Sequence, residues 1–147
     1  MNRDANLTFS KEQEVLSPLL STNIINLGAA RDVGTGARQL YLYSYVTTAF
    51  TDSGNNSNMT VIFQTDSLEA FNSATNSITC GVFATNAAVG TKIGPIAIGP
   101  SKADEQWAGV YYDVGNGNFT TAKVTTFLSY DPHVWSARPD AVTISVP

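Results

Sequence analysis

The chain has 147 residues and a formal charge of −4, and only 14% of it is charged although 43% is hydrophobic; a chain of this length closes one core and not two. Its acidity and its 8 scattered basic residues argue against a polyanionic ligand, because phosphate recognition rests on clustered Lys and Arg, and no apolar run approaches the roughly 18 residues needed to cross a bilayer. No nucleic acid and no membrane are expected as partners.

Charge gives way to 17 Thr, 13 Ser and 12 Asn, with 11 Gly besides, a mixture that favours pleated strands and turns over helices. In chain order, Ala5 to Phe9 reads as a short strand and Ser10 to Leu16 as a single helical turn stopped by Pro18. This charged N-terminal stretch lacks the apolar centre of a secretory signal, so the protein is expected to stay where it is made. Ser21 to Leu27 reads as a strand ending at Gly28, and Ala29 to Gln39 as a loop. Leu40 to Phe50 gives the clearest strand: Tyr41, Tyr43 and Tyr45 project to one side and Leu40, Leu42 and Val46 to the other.

The turn-forming residues Thr51 to Asn58 lead into Met59 to Ser67, read as the second arm of a hairpin with Met59, Val61, Phe63 and Thr65 on one face. A short helical turn is expected within Leu68 to Asn76, then strands at Ile78 to Thr85 and Ile93 to Ile98. In Gln106 to Val114, Trp107 and Tyr111 oppose Ala108, Val110, Tyr112 and Val114; the turn Gly115 to Asn118 then returns the chain into Phe119 to Tyr130. The expected fold is all-β, an antiparallel jelly-roll β-sandwich of about eight strands over residues 1–130, followed by a C-terminal extension, 131–147, whose last segment, Ala141 to Val146, is β-prone.

Reactive groups do not gather in this sequence. His133 is the single histidine and lies in the tail, and Cys80 is the single cysteine, so a catalytic triad, a disulfide and a Cys-rich metal site are not expected. Asp104 with Glu105 reads as a solvated pair, Asp66 and Asp113 as strand-end carboxylates, and Gly34-Thr35-Gly36 as turn residues lacking a phosphate-loop pattern. No catalytic, metal or cofactor-binding residue is nominated, and no cofactor or enzymatic activity is expected. The candidates are interface residues: Tyr41, Tyr43, Tyr45, Trp107, His133 and Trp135, since Tyr and Trp combine broad apolar contact with a polar tip. Core packing is the competing fate of the tyrosine stripe, and a carbohydrate-binding jelly roll is the alternative use of Trp107, Trp135 and the tyrosines.

The segments LTFSKEQEVL (Leu7 to Leu16), STNIINLG (Ser21 to Gly28) and ARDVGTGARQLYLY (Ala30 to Tyr43), continued by VTTAF at Val46 to Phe50, follow one another in an order that resembles the jelly-roll capsid cement, or decoration, proteins of tailed bacteriophages. The likeness is looser later, at a strand near Ile96, an aromatic strand at Tyr111 and Tyr112, and a closing strand at Val124 to Leu128. The resemblance implies a non-enzymatic protein, made in the host cytoplasm, that sits on the outer surface of an HK97-type head and clamps neighbouring major capsid subunits. Symmetric closure then makes a homodimer or homotrimer the natural assembly.

Overall fold

The computed structural model describes residues 7–26, 40–71, 74, 76–98 and 105–130. Nine strands occur among them: β1 (Thr8–Glu14), β2 (Leu19–Leu20), β3 (Ile25–Asn26), β4 (Leu40–Thr51), β5 (Asn58–Asp66), β6 (Asn76–Phe83), β7 (Lys92–Ile98), β8 (Trp107–Gly115) and β9 (Thr121–Ser129). They form two antiparallel sheets. The first has the order β1-β9-β4-β7; the second has β2-β8-β5-β6, with β3 also paired to β8.

This is the order of a jelly roll, in which successive strands pass repeatedly from one sheet to the other. β2 and β3 occupy a single position. Both pair with β8, and Ser21 bridges their interruption: its N–H donates to the Val110 carbonyl at 2.7 Å and its Oγ accepts the Val110 N–H at 3.1 Å. Eight strand positions therefore exist, as the alternation of apolar residues predicts.

The inward positions of both sheets make one core. From the first sheet come Phe9, Leu40, Leu42, Val46, Phe50, Val124 and Leu128, and from the second Met59, Val61, Phe63, Phe83, Ala108, Val110 and Val114, all buried. Aromatic rings join the layers edge to face: Phe9 meets Phe63 at 6.0 Å between centroids, and Phe50 meets Phe83 at 5.6 Å. Such pairs add about 0.5–1.5 kcal/mol beyond the area they bury.

Three local expectations are corrected. Ser10 to Leu16 forms no helical turn, since β1 runs on to Glu14 along β9, and bulges between Thr8 and Ser10 and between Ser10 and Gln13 absorb its irregular pattern. An isolated helical turn fixes several dihedrals for one hydrogen bond, whereas a long ladder is available here. Leu68 to Phe71 form a turn, with Asp66 Oδ1 accepting the Leu68 N–H at 3.1 Å and the Leu68 carbonyl accepting the Phe71 N–H at 3.2 Å, while residues 72, 73 and 75 of the expected helical turn lie outside the described residues.

The third correction concerns connectivity. β4 and β5 belong to different sheets, as do β8 and β9, so Thr51 to Asn58 and Gly115 to Asn118 carry the chain across the sandwich and close no hairpin. Turn chemistry reverses a chain in either case; which sheet receives the next strand depends on distant partners. The hairpin between consecutive strands is β5 with β6.

Candidate interaction surfaces

Ser44 falls at an inward position of β4 and is fully buried, where the alternation calls for an apolar side chain. Its Oγ lies 2.8 Å from Thr126 Oγ1, and the Tyr112 hydroxyl, reaching across from the other sheet, lies 2.7 Å from both Thr126 Oγ1 and Ser10 Oγ. Ser10 Oγ in turn donates to Gln13 Oε1 at 2.5 Å. Because each hydroxyl has one proton, that last bond orients the rest: Tyr112 donates to Ser10, Thr126 to Tyr112 and Ser44 to Thr126. Burial pushes the Tyr112 phenol up to about 12. The phenol stays neutral and the chain of hydroxyls is a fastening between the layers.

At the β4–β5 crossing, Asp52 caps its own loop: Oδ1 accepts the Gly54 N–H at 3.0 Å, and Oδ2 accepts the N–H groups of Asn56 at 3.0 Å and Ser57 at 2.8 Å. These donors, Asn56 first, hold the carboxyl well below the usual carboxylate range. Every strong bond of this carboxylate is spent locally. Among the described residues no group of three or more His, Cys, Asp and Glu comes together. Asp66 is buried and Asp113 exposed on separate strands, while Gly34, Thr35, Gly36, Asp104 and His133 lie outside the described residues.

The tyrosine stripe divides. Tyr43 is buried, its ring stacked on Phe127 at 5.4 Å and 15°, and Tyr45 approaches the same ring edge-on at 6.4 Å. Pairing of Tyr43 with Phe127 across β4 and β9 sets this contact. Tyr43 thus takes the packing role, while Tyr41 and Tyr45 remain half-buried. Trp135 lies outside the described residues.

On the second sheet, Trp107 and Tyr111 are half-buried on the outward face of β8, as their spacing predicts. Register places Tyr111 opposite Ile62, and Gln64 opposite Gly109. The missing side chain at Gly109 leaves space that Ile24 and Phe71 approach: a Cβ there would stand 3.0 Å from Ile24 Cδ1 and 3.2 Å from Phe71 Cζ. Phe71 reaches this position at φ 49, in the left-handed region that bulky residues avoid. Together Leu20, Gln64, Ala70, Phe71, Ala74 and Tyr111 line a shallow depression of about 400 Å³. Sequence reading singled out neither Phe71 nor Gln64; the available signal was Gly109 within a β-prone strand, a mark of close approach.

Residues 9–128 match the family model Bbp16. The chain belongs to the Bbp16 family. No curated protein matches it. Among solved structures, that of infectious bursal disease virus, Gx strain, aligns with a TM-score of 0.48 at 10% identity, over 83% of this chain and 30% of the viral chain. This Bbp16-family chain therefore spans less than a third of the length of that neighbour. The family match begins at Phe9 in β1 and ends at Leu128 in β9, so it takes in both sheets.

Proposed function

We propose that this chain is a virion structural protein that binds the outer surface of a tailed-phage head and stabilises it by bridging major capsid subunits. The observation that carries the reading is where the resembling segments fall: Leu7 to Leu16 contains β1 and Val46 to Phe50 lies in β4, two strands of the same sheet in a jelly-roll order. The sparse charge supports it, as a clamp works by burying uncharged surface and making hydrogen bonds. The chain is read as a non-enzyme, with a homodimer or homotrimer as its working form.

Cement action is mass action: a protein that binds the expanded shell stabilises it over the ruptured one. Purified protein added to expanded heads is expected to co-sediment with them and to raise the temperature of their rupture. Unchanged rupture at saturating protein would reject the proposal.

A carbohydrate-binding role is the second reading, favoured by the depression beside Tyr111, where an aromatic face adjoins the Gln64 side chain. Saturable sugar binding on a glycan array, lost on Tyr111→Ala, would establish it.

A further inference from the structure

Each sheet of an open sandwich ends in strands whose outer N–H and C=O groups invite pairing, and proteins usually guard them with charge, proline, bulges or brevity. Three of the four edges here are guarded. β1 exposes Lys11, Glu12 and Glu14 and carries two bulges. β7 contains Pro95, exposes Lys92 and has a register shift against β4. β2 and β3 are two residues each.

β6 differs. Its eight residues, NSITCGVF, hold neither charge nor proline, and its outer edge pairs with no described strand. It has one bulge, against β5, between Val61 and Ile62. Val82 is 56% exposed, and a depression of about 560 Å³ opens beside it where β6 meets β7, lined by Val82, Phe83, Ala87 and Ile93 and also by the polar Asn86 and Lys92. An uncharged strand edge flanked by a partly apolar hollow is a receptor for one more strand.

The sequence contains a matching donor. Residues 141–146, AVTISV, lie outside the described part of the chain; their side chains alternate, Val142, Ile144 and Val146 against Ala141, Thr143 and Ser145, between Pro139 and Pro147. Such a segment offers one apolar and one small or polar face, and the prolines limit pairing to about its own length. Neither strand carries a charge, and Lys92, the charged residue among those lining the hollow, is itself exposed, so pairing along the edge buries no ion.

We propose that residues 141–146 of one copy pair with the outer edge of β6 in a second copy, extending the second sheet by one strand and setting Val142, Ile144 and Val146 against the hollow beside Val82. Exchange of this kind is a low-cost route to a closed oligomer. It stands independently of capsid binding, because it is tested on the protein alone.

The test uses the full chain, with mass in solution measured by light scattering and fold checked by circular dichroism. Wild type is expected to be oligomeric. The acceptor variant Thr79→Lys/Val82→Lys and the donor variant Ile144→Pro are each expected to be monomeric with unchanged spectra. A mixture of Thr79→Cys and Thr143→Cys chains carrying different tags should form mixed-tag disulfides that neither variant forms alone. A monomeric wild type, an oligomer that survives either blocking substitution, or absence of the mixed cross-link would each overturn the pairing. Should a lysine variant fail to fold, the cross-link decides by itself.

Discussion

Tyr112 ties the two layers together through a single oxygen. Replacing it with Phe keeps the ring and deprives Ser10 and Thr126 of a buried partner, so Tyr112→Phe is expected to destabilise the fold by about 1–3 kcal/mol in urea titration. The phenol also gives a pH signature. Its folded value, about 12, lies above the ordinary 10.0, so the unfolded chain loses its proton first and stability falls as pH rises between those values. At about 1.4 kcal/mol per pH unit, the loss approaches about 3 kcal/mol by pH 12. Cys80, raised by burial to about 11, adds to the alkaline decline from pH 9 upward, and the part that Tyr112→Phe abolishes belongs to the phenol. Asp52 acts at the other end of the scale: its carboxyl is held low, so its contribution persists above the ordinary value of 3.8 and is lost as pH falls below it. Asp52→Ala should speed amide exchange at Gly54, Asn56 and Ser57 while leaving the strands protected. None of the hydroxyl network was legible in the sequence, because Ser44 and Thr126 stand 82 residues apart and become partners only when β4 and β9 pair.

Strands whose alternation is strong were legible in advance. β4, β5 and β8 fall within a residue or two of expectation, since each sets a mainly apolar row against polar or aromatic neighbours. β1 was not, because its bulges break the two-residue period and leave a charge pattern that imitates a helical turn. β7 shows how tightly one position can be constrained. Gly94 has φ 112, and a Cβ there would run into the Leu42 carbonyl oxygen. Gly94→Ala is expected to cost about 1–3 kcal/mol from backbone conformation alone, and to weaken β7 pairing with β4, visible as faster exchange from Ile93 to Ile98. Of the candidate surfaces, the Trp107–Tyr111 face was visible as spacing, whereas the hollow beside Tyr111 depends on Phe71, whose unusual backbone leaves no mark in sequence.

At the scale of the molecule, composition and the spacing of turn residues indicated strands, one core and a jelly roll, but the order of those strands was not legible, because it depends on partners far apart in the chain. Local turn signals at Asp52 to Asn56 and Gly115 to Asn118 mark reversals equally well for a hairpin and for a passage between layers, and both proved to be passages. Such topology ties distant parts of the chain together, so the domain is expected to unfold in one cooperative step, with ring fluorescence and far-ultraviolet ellipticity changing together. Separate transitions would count against a shared core.

The pairing of β1 with β9 has a practical side. Thr8 lies opposite Phe127, and Ser129 opposite Tyr41 on the neighbouring strand, so the first and last strands enter and leave the sandwich at one pole. A reporter spliced ahead of β1 and another spliced after β9 would leave from that common pole, within energy-transfer range of each other. Joining those ends by a short linker and reopening the chain at Asn116–Gly117 would yield a circular permutant with new termini at the opposite pole.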